Sequence, residues 1–125
     1  VIAYGQDMLP AFWSASSDMT APLRMDSAHD IAHAQMTRTA MGLSGGQLIA
    51  NPIPKDAEIP ADVLHPIIEQ ALAEAAAQNI SAKAVTPFLL GRIFELTEGR
   101  SLKANIALVR NNARLAAQIA IALGK

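Results

Sequence analysis

Apolar residues near the carboxy terminus recur every three or four positions, which is the spacing of one face of a helix. A helix capped by Ser101 and ending near Leu123 is predicted, with an apolar face that holds Leu102, Ile106, Val109, Ala113, Ala116 and Ala120. Asn105 and Asn112 lie on or beside this face. A buried carboxamide without a partner costs about 1–3 kcal/mol, so each needs a hydrogen bond. The partner is either a neighbouring helix or loop, or the edge of a pyrimidine base.

The remaining pattern predicts three further helices and two short strands. The strands cover about 1–5 and 47–50, where apolar runs end at turn residues. The first helix starts near Ser27 and ends at Gly42 or at Gly45-Gly46, and the other two cover about 60–78 and 86–97. The expected N-caps are Asp26 or Ser27 for the first and Thr86 for the last of these. The sequence therefore predicts an α/β fold in which this chain is mostly helical and its two strands belong to a larger sheet.

The chain is nearly neutral and contains no tract of like charges. Its 125 residues include 10 basic and 11 acidic side chains, so it lacks the basic surface expected of nucleic-acid or anionic-membrane binding. The absence of cysteine excludes a disulfide framework and a thiolate metal site. No apolar stretch reaches the roughly 18 residues of a membrane span. These features are typical of a cytoplasmic protein.

The apolar content exceeds what a unit of this size buries on its own. Hydrophobic residues make up 51% of the chain, and the mean hydropathy is +0.23. This excess predicts that more protein packs against the chain. The sequence also starts inside a predicted strand and without an initiator Met. We therefore expect residues 1–125 to be the C-terminal segment of a single larger domain.

The three histidines offer little support for a metal site. His29 and His33 are four residues apart on a predicted helix with Asp30 between them, a pattern similar to the H-E-x-x-H zinc motif. Asp is shorter than the Glu of that motif, no third ligand is evident, and the start of the helix is exposed to solvent. We expect surface histidines there and a solvated side chain at His65.

Loop residues carry several alternatives that the sequence leaves open. Phe12 and Trp13 either anchor their loop to the core or form an aromatic wall over a ligand. Asp7 is either a carboxylate near an active site or a turn cap, and Arg24 meets either a phosphate or a core carboxylate. Asn51 follows a strand, where α/β proteins place ligand contacts, although an Asx turn is the expected interpretation. No nucleophile–base pair, phosphate loop or dinucleotide motif is present.

Several separated blocks of the chain match one family. The longest is T-P-F-L-L-G-R-I-F-E-L-T-E-G-R-S-L-K-A-N-I-A-L-V-R-N-N-A, residues 86–113, and shorter blocks are Y-G-Q-D and L-P-A-F-W at 4–13, P-L-R at 22–24 and A-N-P-I-P at 50–54. Together they resemble the C-terminal part of the pseudouridine-5′-phosphate glycosidases, also called the indigoidine synthase A-like family. The similarity spans nearly the whole chain. It implies a three-layer α/β/α fold with a mixed sheet, of which this chain is the C-terminal part.

The resemblance implies reversible cleavage of the C–C glycosidic bond of pseudouridine 5′-phosphate, which yields uracil and ribose 5-phosphate. In the family a lysine forms an imine with the sugar C1′, a glutamate transfers protons and Mn²⁺ is bound through an aspartate. All of these residues precede the matched segment, so the chain is expected to hold no catalytic residue and no metal ligand. Lys55, Lys83 and Lys103 match no catalytic motif.

One functional residue is implied for this segment. The family uses an asparagine of its A-N-I-A-L-V helix to hydrogen-bond uracil, and that position corresponds to Asn105, whereas Asn112 is expected to be structural. The resemblance also implies that this segment packs against the N-terminal remainder of the same enzyme. It further implies that the whole enzyme is a homotrimer. Two alternatives are a related enzyme of C-glycoside or indigoidine biosynthesis, and a non-catalytic helical module that binds a partner through its amides.

Overall fold

Three short parallel strands form the sheet in the computed structural model, which describes residues 1–124. Strand β1 (Ile2–Tyr4) lies in the middle, between β2 (Leu23–Met25) and β3 (Ile49–Ala50). Ile2 is opposite Leu23 on one side and Ile49 on the other. Ile2 and Ala3 are buried because β1 is paired along both edges.

The α/β class is confirmed, but the expectation of two strands is wrong because β2 is a third. Its residues Leu23 and Arg24 are exposed, and its sequence Leu-Arg-Met has no apolar run that would predict a strand. An edge strand of this kind exists through its hydrogen bonds to β1 rather than through burial. Sequence periodicity does not record such long-range pairing.

Four α-helices account for most of the chain. They are α1 (Ala28–Ala40), α2 (Ala61–Ala77), α3 (Val85–Leu96) and α4 (Arg100–Leu123), with a 3₁₀ turn (Ala82–Ala84) before α3. The predicted cap of α1 is confirmed: the Ser27 hydroxyl accepts the Asp30 amide at 3.0 Å. Within residues 1–124, no helix combines the length and apolar character needed to cross a bilayer.

The predicted caps of the last two helices are wrong. The 3₁₀ turn carries the chain directly into α3, so Thr86 lies inside the helix. At α4 the N-cap is Gly99, at φ +80°, and Ser101 is the second helical residue. The hydroxyl of Thr97, not of Ser101, accepts a free amide of this helix end, that of Ser101 at 3.1 Å.

The main hydrophobic core lies between α2, α3, α4 and the loop that follows β3. Its fully buried centre is Ile53 and Ile59 from this loop, around which pack Ala15, Leu64, Ala71, Ile93, Ala104 and Leu108. The loop is therefore a structural part of the core, and it brings α4 next to the segment that contains Trp13.

The expected buried face of α4 is also wrong. The residues that α4 buries are Ser101, Ala104, Leu108 and Leu115. Leu102, Ile106 and Val109 are 50%, 51% and 57% exposed. The two stripes are one position apart, a rotation of about 100° on a helix. Both are apolar, and the small Ala104 allows closer packing than the branched side chains of the exposed stripe.

Candidate functional site

Asn105 lies at a surface cavity of about 200 Å³ between α3, α4 and the loop that precedes β2. The side chains that line it are Trp13, Leu90, Phe94, Ser101, Leu102 and Asn105. Asn105 is half-buried, and its amide makes no hydrogen bond to any of residues 1–124. The cavity thus has apolar walls and one carboxamide whose donors and acceptor are available to a ligand.

The electrostatics of this cavity favour a neutral ligand. None of its lining residues carries a titratable side chain. A charged group placed there would lose hydration without gaining a partner of opposite charge. A flat, neutral group with its own donors and acceptors matches the amide and the apolar walls.

One wall of the cavity is the indole of Trp13, which is held by long-range contacts. Its Nε1–H donates to the carbonyl of Ser101 at 3.2 Å, and the ring of Phe12 meets it edge to face at a centroid distance of 4.6 Å. The buried hydroxyl of Ser14 donates to the carbonyl of Ile59 at 2.6 Å. These bonds anchor the loop to α4 and to the loop that follows β3. Trp13 therefore anchors its loop and also forms a wall of the cavity.

The opposite wall is set by the turn between α3 and α4. Leu90 and Phe94 are one helical turn apart on α3 and both face the cavity. The left-handed conformation of Gly99, at φ +80°, reverses the chain there. Glycine is favoured by this backbone conformation rather than by lack of space, because a Cβ would meet the Phe94 ring only at an ordinary contact distance of 3.4 Å.

The other asparagines fasten the loop after β3 onto α4. Asn51 Nδ2 donates to Asn112 Oδ1 at 3.1 Å, and Asn111 Nδ2 donates to the carbonyl of Pro52 at 3.1 Å. Asn112 therefore has a structural partner, as expected, and Asn51 contacts a side chain of α4 instead of closing an Asx turn. The role of Asn111 was missed, although the Asn-Asn doublet and the stiff A-N-P-I-P segment were the available signals.

Arg24 meets two exposed carboxylates, neither of which is the core carboxylate that the sequence offered as one of its partners. Its Nε lies 2.8 Å from Asp26 Oδ1, and its Nη1 lies 3.2 Å from Asp7 Oδ1. The hydrogen bonds that Arg24 donates to Asp26 and then to Asp7 raise the pKa of Arg24 above its ordinary value. The group is exposed, and Arg24 does not line the Asn105 cavity.

The histidines are exposed and do not meet at one place. His65 Nε2 lies 3.1 Å from Glu69 Oε1, and His29 lines a separate cavity between α1 and α4 with Met36 and Gln118. Among residues 1–124, no group of three His, Cys, Asp or Glu side chains could hold a metal ion.

The fold and the cavity define a segment of an α/β protein with a neutral, amide-bearing ligand pocket. Residues 1–122 match the sequence profile of the indigoidine synthase A like proteins, so the chain belongs to this family. It is 67% identical over 123 residues to the pseudouridine-5′-phosphate glycosidase of Paracoccus denitrificans (strain Pd 1222), and 63% identical to that of Jannaschia sp. (strain CCS1). The match covers 98% of this chain but 40% and 41% of those relatives.

Two solved structures share the fold. One is the prealnumycin C-glycosynthase in complex with ribulose 5-phosphate, with a TM-score of 0.87 and 28% identity over 98% of this chain and 40% of that one. The other is an indigoidine synthase A-like protein from Thermotoga maritima, with a TM-score of 0.84 and 31% identity over 99% of this chain and 40% of that one. The family resemblance seen in the sequence is confirmed.

Proposed function

We propose that the chain is the C-terminal part of a pseudouridine-5′-phosphate glycosidase, which cleaves pseudouridine 5′-phosphate reversibly to uracil and ribose 5-phosphate. The observation that carries the proposal is the 67% identity over 98% of this chain to a glycosidase of that name. The Asn105 cavity supports it, because an apolar pocket with one free carboxamide suits a neutral base.

In this proposal Asn105 binds the uracil edge. Its carboxamide offers one acceptor and two donors, which complement the alternating carbonyl and N–H groups of the ring. The carboxamide is half-buried and unpaired within residues 1–124, so no internal hydrogen bond has to break before the base binds. The pocket would hold the ring in place and keep water from its faces.

The bond-breaking chemistry is proposed for residues outside this segment. A C–C glycosidic bond does not break by simple protonation. A lysine amine bonded to the sugar C1′ after ring opening would donate its lone pair as the bond breaks, which leaves an imine at C1′ that water then hydrolyses to ribose 5-phosphate. Uracil C5 takes a proton as the bond breaks, with a glutamate as the proton donor. The residues described here would orient C5 toward the sugar carbon.

The proposed Mn²⁺ would likewise be bound by residues outside this segment. Residues 1–124 contain no cluster of three metal-ligating side chains. The Asn105 cavity has no cationic side chain, so base binding is the role that we propose for it.

A C-glycosynthase is the second candidate function. The structural similarity to the prealnumycin C-glycosynthase favours it, with a TM-score of 0.87. The identity to that protein is 28%, whereas the glycosidase relatives are 50–67% identical. Pseudouridine 5′-phosphate is therefore the preferred substrate.

We also propose that the whole enzyme is a cytoplasmic homotrimer. Support comes from the exposed apolar side chains of α4, since Leu102, Ile106 and Val109 need cover from the remainder of the polypeptide or from a second copy. Sedimentation of the full-length enzyme tests the oligomeric state, and a folded, active monomer would contradict it.

The function is tested with the full-length enzyme that contains this chain. It is incubated with pseudouridine 5′-phosphate and Mn²⁺, and released uracil and ribose 5-phosphate are quantified by chromatography. We expect both products in equal amounts, and faster turnover than with other C-ribosides. A folded enzyme that releases no uracil would overturn the proposal, and a preference for another C-riboside would support the second candidate.

A further inference from the structure

We propose that Trp13 determines ligand specificity by recognising the plane of the pyrimidine ring, while Asn105 recognises its edge. The inference rests on the proposed function, since it assumes that a base enters the Asn105 cavity. It assigns the second half of base recognition to the loop before β2. The ligand class is a flat, unsaturated ring with an imide edge.

The indole of Trp13 is held in place before a ligand arrives. Its only donor, Nε1–H, is used by the carbonyl of Ser101 at 3.2 Å, on the helix that also carries Asn105. The Phe12 ring packs against it at an interplanar angle of 87°. Because its donor is occupied, the surface that Trp13 gives to the cavity is π-electron surface rather than a hydrogen-bonding group.

The contact between Trp13 and Ser101 also sets the distance between the two recognition elements. Ser101 is one helical turn before Asn105 and is itself buried in the core. The indole is thus held by the same turn of α4 that carries the Asn105 carboxamide. A ligand that fits must present a face to the indole and an edge to the amide at one fixed spacing.

Uracil and 5,6-dihydrouracil separate these two contributions. Both carry the same imide edge, but saturation at C5 and C6 makes the second ring puckered and removes the π system that stacks on an aromatic side chain. Stacking on an aromatic side chain is typically worth about tenfold to a hundredfold in affinity. The unsubstituted enzyme should therefore bind uracil at least about tenfold more tightly than dihydrouracil.

The test measures both rings as inhibitors of pseudouridine 5′-phosphate cleavage by the full-length enzyme. Trp13→Leu should weaken uracil inhibition by about tenfold to a hundredfold and leave dihydrouracil inhibition nearly unchanged. Asn105→Ala should weaken both inhibitors by a similar factor. The matched control is Phe88→Leu, which removes an aromatic ring of α3 that does not line the cavity and should preserve the preference.

A second variant keeps the inference testable if Trp13→Leu does not fold. Trp13→Phe retains a ring and should retain most of the preference for uracil. Uracil should also change the tryptophan fluorescence of the unsubstituted enzyme, and this change should be smaller in Trp13→Phe. A uracil preference that survives in folded Trp13→Leu, or a fluorescence change of undiminished size in Trp13→Phe, overturns the role of Trp13.

The two proposals fail in different ways. If the folded enzyme does not cleave pseudouridine 5′-phosphate and neither ring binds, the proposed function fails and the inference fails with it. If cleavage proceeds and uracil inhibits, but the preference for the flat ring is independent of Trp13, only the inference fails.

Discussion

Replacing Asn105 with alanine should separate ligand binding from stability, because the structure gives its amide no internal partner. No hydrogen bond within residues 1–124 is lost, and alanine is the better helix former by up to about 0.7 kcal/mol. The free energy of unfolding should therefore stay unchanged or rise by a few tenths of a kcal/mol.

The catalytic loss should be much larger than the change in stability. A hydrogen bond to a base in a water-poor pocket is worth about 1–3 kcal/mol, which corresponds to about fivefold to a hundredfold in kcat/KM. Steady-state cleavage of pseudouridine 5′-phosphate by the full-length enzyme measures this loss. Urea unfolding followed by circular dichroism measures the stability of the same preparation.

Asn111 supplies the matched control on the same helix. Its amide donates to the carbonyl of Pro52, so Asn111→Ala should lower the free energy of unfolding by about 0.5–1.5 kcal/mol and leave kcat/KM within about twofold. The opposite pattern, a destabilised Asn105→Ala with normal kcat/KM, would show that Asn105 is structural and would refute the reasoning.

Three further substitutions test the core, an ion pair and the α3–α4 turn. Ile59→Ala should destabilise the enzyme by about 2–5 kcal/mol in urea unfolding, because Ile59 is fully buried; a loss below about 1 kcal/mol would contradict its central place in the core. Arg92 lowers the pKa of Glu74 below its ordinary value of 4.5, so this carboxylate stabilises the fold at neutral pH and its contribution is lost as the pH falls through the depressed pKa. Glu74→Gln should therefore show a weaker loss of the urea midpoint below about pH 5 than the unsubstituted enzyme, and equal slopes would argue against the pair. Gly99→Ala should cost about 1–2 kcal/mol, since φ is +80°, and the strained turn should raise the inhibition constant for uracil; an unchanged constant would separate the turn from the cavity.

Local signals in the sequence located most elements of this fold. The Ser27 cap follows from a side chain that accepts a neighbouring backbone amide, and the structure confirms it. Gly42 follows the end of α1 at φ +70°, and α2 covers Ala61–Ala77, close to the predicted bounds. The same reasoning was wrong at Thr86 and Ser101. A 3₁₀ turn leads directly into α3, and a left-handed glycine is the N-cap of α4. These are choices between nearly equal local conformations, which the packing of α3 against α4 decides.

By itself, the sequence determined the α/β class, the order of helices, the family and Asn105 as the candidate base contact. Only the tertiary structure decided which face of α4 is buried, that β2 pairs with β1, and that Trp13 shares a cavity with Asn105 from 92 positions away along the chain. Helical periodicity reports that a face is apolar, but two adjacent apolar faces compete for the same core. Close packing against Ile53, Ile59 and Ile93 selects one of them, and that selection leaves the Asn105 amide facing the cavity.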